Sequence, residues 1–408
     1  MANKLYEEQC IQDIANSIRS KNNENTTYKV SEMAAAINKL KKDSKPYKDV
    51  NFIDYDGTVL YSYSASEALN LTQLPDNPTH EGLTSQGWNW TLADIQSYVS
   101  KYGALNIGQM YITDDEVTRL HIRVGEERKT VPFCFSQTVD RGVQVDWGDG
   151  GTVQTFNGTT SKILTTHAYS AAGDYVIKLK PTNQCTLSLG GNDSQYCIFG
   201  QDSSENLVYS NMLLKVEIGK NIVISDYAFQ HCYSLSEITL PQYMESIGSA
   251  AFSYCQSLGT VIFPKLITSI SSGVLRYCYS LSTVIAPKNI TSVESYAFQN
   301  CNALLNTSVL TQATSVGASS FRNCQVISKI IVSKDITNIP AYAFAGCYAV
   351  KTYDFSNHTQ VPNLASTNAF QGIASDCQII VPDSLYSTWI SATNWSTYAS
   401  NIVKASEA

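Results

Sequence analysis

From about residue 210 onward the apolar positions recur at a fixed interval of 23 residues, in several columns that keep step with one another. One column runs Phe229, Phe252, Leu275, Phe298, Phe321, Phe344, and another Leu235, Leu258, Leu281, Leu304, Ile327, Val350. A third runs Ile224, Ile247, Ile270, Val293, Val316, Ile339, and Cys232, Cys255, Cys278, Cys301, Cys324 and Cys347 make a fourth. Independent columns in register predict a coil wound at constant pitch, in which each column becomes a ladder of neighbouring side chains. Each turn should hold one short strand, such as Ile238-Thr239-Leu240 with Ile238 and Leu240 inward, and then bend, often at a proline (Pro241, Pro264, Pro287).

The preceding residues follow other periods. Leu5, Ile11, Ile14 and Ile18 stand at helical spacing, and a second helix starts at Ser31 and carries Met33, Ala34, Ala36, Ile37 and Leu40. Helices this short need a partner to cover their apolar faces. Residues 46–118 open with a hairpin pattern turning at Asp56-Gly57, pass through Trp88 and Trp90, and continue into a helix from Thr91 to Lys101 with Leu92, Ile95, Tyr98 and Val99 inward. Residues 119–183 alternate in short strands with turn residues between them, the pattern of a β-sandwich. The expected architecture is multidomain α+β: a helical segment (1–45), a small α+β domain (46–118), a sandwich (119–183), an entry cap (184–213), the solenoid (214–381) and a C-terminal helical cap (382–408).

The units YAFQHCYSLSEITLP and AAFSYCQSLGTVIFP resemble the BspA-type leucine-rich repeat, a family found in bacterial surface proteins and in phages of gut bacteria. In the last unit the Phe column falls at Phe370, which places a small insertion between His358 and Thr367. The pair VDWGDG and HAYSAAGDYVIKL resembles the PKD-type, immunoglobulin-like module, which implies Trp147 in the core and Tyr169 and Tyr175 packed across it. The stretch from Ile11 to Ile37 is similar to N-terminal segments of phage tail and fibre proteins. That resemblance implies a virion protein, assembled in the host cytoplasm and joined to other virion proteins or to copies of itself through residues 1–45. A bacterial cell-surface adhesin of the BspA type is the alternative, and an enzyme acting on surface polysaccharide is a more distant one.

Composition narrows the chemistry. Only 15 % of residues are charged, against about 25 % in an average domain, and 25 tyrosines help to fill the place. With a net charge of −7 and the basic residues of Lys39–Lys48 read as a linker, a nucleic-acid partner is not expected. No apolar stretch reaches the ~20 residues that span a bilayer, so membrane insertion is not expected either. The 11 cysteines are an odd number and lack CxxC-type spacing, which makes the ladder a buried core column rather than a disulfide or metal set. The five histidines are scattered, and no nucleophile, metal or nucleotide motif occurs. No catalytic, metal or cofactor residue is therefore assigned, and the chain is read as a binding protein rather than an enzyme.

The expected binding surface follows from the variable columns. Tyr233, Tyr254, Tyr277, Tyr279 and Tyr348 offer large amphipathic rings at small rotamer cost. The outward strand column, with Ile262, Ile285 and Ile331, is expected either to meet a partner or to reflect plain strand preference. A host-surface glycan or protein is the expected partner of the solenoid. Trp88, Trp90, Trp389 and Trp395 are read as core or covering residues before sugar platforms.

Overall fold

The computed structural model describes residues 48–159, 162–190, 196–201 and 209–408. The helices expected within 1–45 lie outside the described residues. Among those described, no helix is long and apolar enough to cross a membrane.

The first unit is a four-stranded sheet backed by two helices. Its strands are β1 (Val50–Ile53), β2 (Val59–Tyr63), β3 (Leu83–Trp88) and β4 (Leu105–Thr113), in the order β2-β1-β4-β3. β1 and β4 run parallel, and the crossover between them carries α1 (Ala65–Leu69) and α2 (Leu92–Tyr102). Thr91 caps α2 by accepting from the Asp94 amide, and Gly103 ends the helix at a φ of 79°. Ile95, Tyr98 and Val99 pack with Phe52, Trp88 and Trp90.

Ten further strands lead into the solenoid: β5 (Thr118–Val124), β6 (Thr130–Gln137), β7 (Val143–Asp146), β8 (Gln154–Phe156), β9 (Ile163–Ala168), β10 (Gly173–Pro181), β11 (Leu187–Leu189), the β12 (Tyr196–Cys197) and β13 (Gly200–Gln201) ribbon, and β14 (Leu213–Glu217). Two more, β15 (Ile222–Ile224) and β16 (Glu237–Thr239), belong to its first turns. One sheet has the order β16-β14-β5-β10-β7-β8, and a second has β15-β11-β6-β9. Both therefore pass from antiparallel strands straight into the parallel ladder of the coil: β14 pairs antiparallel with β5 and parallel with β16. The apolar faces of both sheets enter one buried cluster that continues from Leu120 to Ile402. Trp147 and Tyr169 are buried in it, with the Tyr169 hydroxyl donating to the Trp147 carbonyl.

The chain then winds as a β-solenoid of about 8 turns with the 23-residue period. Short parallel strands follow one another at Thr260–Ile262 and Thr283–Ile285, and again at Lys329–Ile331, Thr352–Asp354, Gln378–Val381 and Ile402–Lys404. Between the two groups the strand position is taken by a 3-10 turn, Ser308–Thr311. The pairing Thr352↔Gln378, three residues beyond the usual step, locates the insertion in the last repeat. The far end is closed by α3 (Tyr386–Ser391) and a 3-10 turn at Trp395–Tyr398, with Trp389 and Trp395 buried edge-on against Phe355.

Cys232, Cys255, Cys278, Cys301, Cys324 and Cys347 are all buried and free. Each thiol from Cys255 to Cys347 also donates to a carbonyl 26 residues earlier, on the turn before: Cys255 to Phe229 at 3.2 Å, Cys301 to Leu275 at 3.1 Å, Cys347 to Phe321 at 3.1 Å. The thiol thus fills a methyl-sized space and satisfies a carbonyl that would otherwise face apolar surroundings.

Candidate functional site

The return segment of each turn has a backbone that its apolar columns do not reveal. Two residues per turn adopt left-handed φ. The first column is Tyr227, Ala250, Gly273, Tyr296, Ser319 and Tyr342, and the second is His231, Tyr254, Tyr277, Asn300, Asn323 and Gly346, with φ between 53° and 75° throughout. Gly and Asn take this region easily, but a bulky side chain there costs about 1–2 kcal/mol. The hydrogen bonds explain why the fold accepts it. Tyr227, Phe229 and His231 donate their amides to Ser249, Ala251 and Ser253 on the next turn, and Tyr254 donates to Arg276 in the same way. Left-handed residues turn these amides along the solenoid axis, so the strain is offset by an inter-turn ladder.

The side chains of the second column form a ridge. His231 stacks on Tyr254 at 4.5 Å between centroids, and Tyr254 stacks on Tyr277 at 4.3 Å. Tyr233 meets His231 edge-on and Tyr279 meets Tyr277 edge-on. Burial and the adjoining Tyr277 raise the Tyr254 hydroxyl above its ordinary pKa. The Arg276 guanidinium lies over Tyr277 at 4.7 Å and over Tyr296 at 5.3 Å, and donates to the Tyr277 hydroxyl at 3.2 Å. Further along, Asn323 donates to Asn300 at 2.7 Å and Arg322 lies over Tyr342 at 5.1 Å.

Four of the expected binding residues, Tyr233, Tyr254, Tyr277 and Tyr279, are thus brought into one patch. Tyr348 is 59 % exposed but lies three turns beyond Tyr279, beside Gly372. The strand column is different, and here the expectation of an open contact face is corrected. Ile262 and Ile285 are buried against Ile53, Val59 and Met110 of the first unit. That unit is docked across the strand face: Trp90 Nε1 donates to the Ala286 carbonyl at 3.0 Å, and the Tyr98 hydroxyl lies 2.8 Å from Thr311 Oγ1. The Tyr102 hydroxyl donates to the Thr311 carbonyl, and Asp94 pairs with Lys288. Ile331 is half-buried and borders a small cleft with Lys101 and Tyr102. Trp88 and Trp90 are core and contact residues, each almost fully buried.

Three histidines meet carboxylates that sequence spacing did not bring together. His80 Nε2 is 2.7 Å from Asp54, which also accepts from the Tyr111 hydroxyl. His167 Nε2 is 2.8 Å from Asp149, with its ring stacked on Trp147. His121 is 3.3 Å from Glu217, where burial would raise the carboxyl but hydrogen bonds with His121 and Lys215 prevail and hold it at about 2. Each pair joins segments distant in the chain. Among the described residues, no group of three or more His, Cys, Asp or Glu is placed to hold a metal ion. Burial pushes the ladder thiols far above their usual range, Cys347 to about 12, so they are inert at neutral pH.

The period, the Ala-Phe and Cys columns and the parallel ladder decide the kind of solenoid. Residues 222–351 match the BspA type leucine-rich repeat region in six copies. No curated protein matches the chain significantly. Several solved structures are similar to this chain at low identity. A leucine-rich repeat protein of T. pallidum is 16 % identical, with 31 % of this chain and 72 % of that one covered and a TM-score of 0.28. A leucine-rich repeat protein from Bacteroides ovatus is 20 % identical over 39 % of this chain and 48 % of that one, with a TM-score of 0.31. A leucine rich cell surface protein from Faecalibacterium prausnitzii is 17 % identical over 66 % and 93 %, with a TM-score of 0.22.

Proposed function

We propose that this chain is a non-catalytic binding protein of the bacterial surface-adhesin kind, whose contact surface is the aromatic ridge on the return side of its BspA-type repeats. The observation that carries the reading is the run of His231, Tyr254 and Tyr277 in left-handed conformation. Asn or Gly would occupy those positions without strain, as Asn300 and Gly346 do. Retaining a large aromatic side chain at a strained position fits a surface used for recognition. The strand face supports the same reading from the other side, because the first unit covers it at Ile262 and Ile285. Residues 119–183, a PKD-like module on this view, share one continuous core with the solenoid.

The virion reading rests on the resemblance of residues 1–118 to phage structural proteins, of which residues 1–45 lie outside the described residues. One experiment separates the two. Antibodies against residues 210–408 should label cell surfaces of the source culture and leave phage particles bare; label confined to particles would refute the adhesin. The labelled 408-residue chain should also bind target cells. Tyr233→Ala with Tyr279→Ala should weaken that binding at least tenfold while leaving the melting temperature unchanged. Undiminished binding by this variant would remove the ridge from the function.

A further inference from the structure

The ridge also carries fixed positive charge, and its spacing selects a ligand. Arg276 and Arg322 occupy the same register two turns apart, which places them about 10 Å apart along the axis at the usual strand separation. Each guanidinium lies over tyrosine, Arg276 over Tyr277 and Tyr296 and Arg322 over Tyr342. Neither takes part in an ion pair among the described residues, while Glu294 on the turn between them accepts from Ser269. Arg276 Nε is buried without a hydrogen-bond partner. Between the two arginines stands Gln299, 6 % exposed, with its side-chain carbonyl also unpartnered. The ring of Tyr296, 42 % exposed, meets Arg276, and that of Tyr279, 41 % exposed, meets Tyr277 edge-on beside it.

We infer that this ridge binds an acidic polysaccharide bearing a carboxylate on alternate sugars, an inference that rests on the adhesin reading. The guanidinium fork suits a planar carboxylate, and stacking on tyrosine fixes the fork before the ligand arrives. The exposed rings of Tyr279 and Tyr296 beside Arg276 offer apolar area to the sugar rings. An extended acidic peptide fits less well, because its same-side groups recur about every 6.8 Å rather than every 10 Å. Nucleic acid is disfavoured by the net charge of −7. A repeating polymer can also register on a repeating protein surface at more than one position.

The test uses the full chain and size-defined hyaluronan, with neutral dextran and poly-glutamate as comparators, in calorimetric titrations at two salt concentrations. Hyaluronan should bind and dextran should not. Arg276→Gln and Arg322→Gln should each weaken binding at least tenfold, Arg276→Lys should restore only part of it, and raised salt should weaken the wild type. Thermal melts identify any variant that has lost its fold, and the Lys variant keeps the test open in that case. Equal binding by the Gln variants, or tighter binding to poly-glutamate, overturns the inference. If hyaluronan does not bind but cell binding persists and is lost with Tyr233→Ala and Tyr279→Ala, the ligand class is wrong and the adhesin stands. If cell binding is absent altogether, the adhesin reading has failed first.

Discussion

The cysteine ladder makes the stability of this fold sensitive to alkali, and the size of the effect follows from burial. Six thiols, Cys232, Cys255, Cys278, Cys301, Cys324 and Cys347, are buried and pushed above their ordinary range by desolvation. In the unfolded chain each titrates near pH 8.5. A pKa raised on folding favours the folded state below the unfolded value, and that contribution is lost as pH rises towards the folded one. At pH 9.5 each thiol released by unfolding ionises and costs the folded state about 1.4 kcal/mol, or about 8 kcal/mol for six. Domains are typically stable by about 5–15 kcal/mol, so most of the margin should vanish between pH 8.5 and 10. Urea titrations under reducing conditions, repeated across this interval, measure the slope directly. Cys301→Ser keeps a donor for the Leu275 carbonyl and removes one ionisable group, so its slope should fall by about one proton. A stability at pH 9.5 within about 1.4 kcal/mol of that at pH 8 would refute the reasoning, because it would mean that at most one thiol is shielded. So would rapid labelling of the ladder thiols by a disulfide reagent in the folded protein at neutral pH.

Gly346 has a φ of 75°, and a Cβ there would sit 2.1 Å from Asn323 Oδ1. Gly346→Ala should therefore break the Asn323–Asn300 contact and lower stability by about 1–3 kcal/mol, read as a drop in urea midpoint. Glu217, held at about 2, stabilises the fold above its unfolded value near 4.3 and loses that contribution as pH falls towards 2. Glu217→Gln should flatten stability against pH between about 4.5 and 2, and an unchanged acid limb in that variant would show that the His121 and Lys215 contacts contribute nothing. Ile285→Asp places a charge in the dry contact with Ile53, Val59 and Met110, so it should free the first unit from the strand face. Hydrogen exchange should then rise at Thr260–Ile262 and at α2, with the Cys ladder still protected; exchange confined to residue 285 would contradict the docking.

What the sequence shows of this molecule depends on whether a contact repeats. The coil is legible because every inward column meets its own copy one turn on, so Phe229 on Phe252 and Cys255 on the Phe229 carbonyl appear as a 23-residue rhythm. The insertion near His358 is visible for the same reason, as a break in that rhythm. The docking of the first unit leaves no such trace. Trp90 meets Ala286 across 196 residues of chain, and Ile262 and Ile285 look the same in sequence whether they face solvent, a partner or another part of the same chain. The pairs His80–Asp54, His121–Glu217 and His167–Asp149 are equally private to the tertiary fold.

The ridge lies between these cases. Its columns are variable and tyrosine-rich in sequence, the pattern of a free surface. Asn300, Asn323, Gly346 and Gly273 were the available signal for something stricter, since residues of that kind at fixed intervals mark left-handed backbone. Once the backbone is left-handed in every turn, the aromatic members, six of the twelve residues in the two columns, need a reason. Stacking supplies part of it, because His231, Tyr254 and Tyr277 support one another at 4.3 to 4.5 Å. It leaves Tyr296 unexplained: its ring belongs to the other column, is 42 % exposed and meets Arg276 rather than another stacked tyrosine. A strained, exposed aromatic residue holding an arginine in place contributes little to folding that glycine would not. The proposed ligand of Arg276 would supply the missing reason.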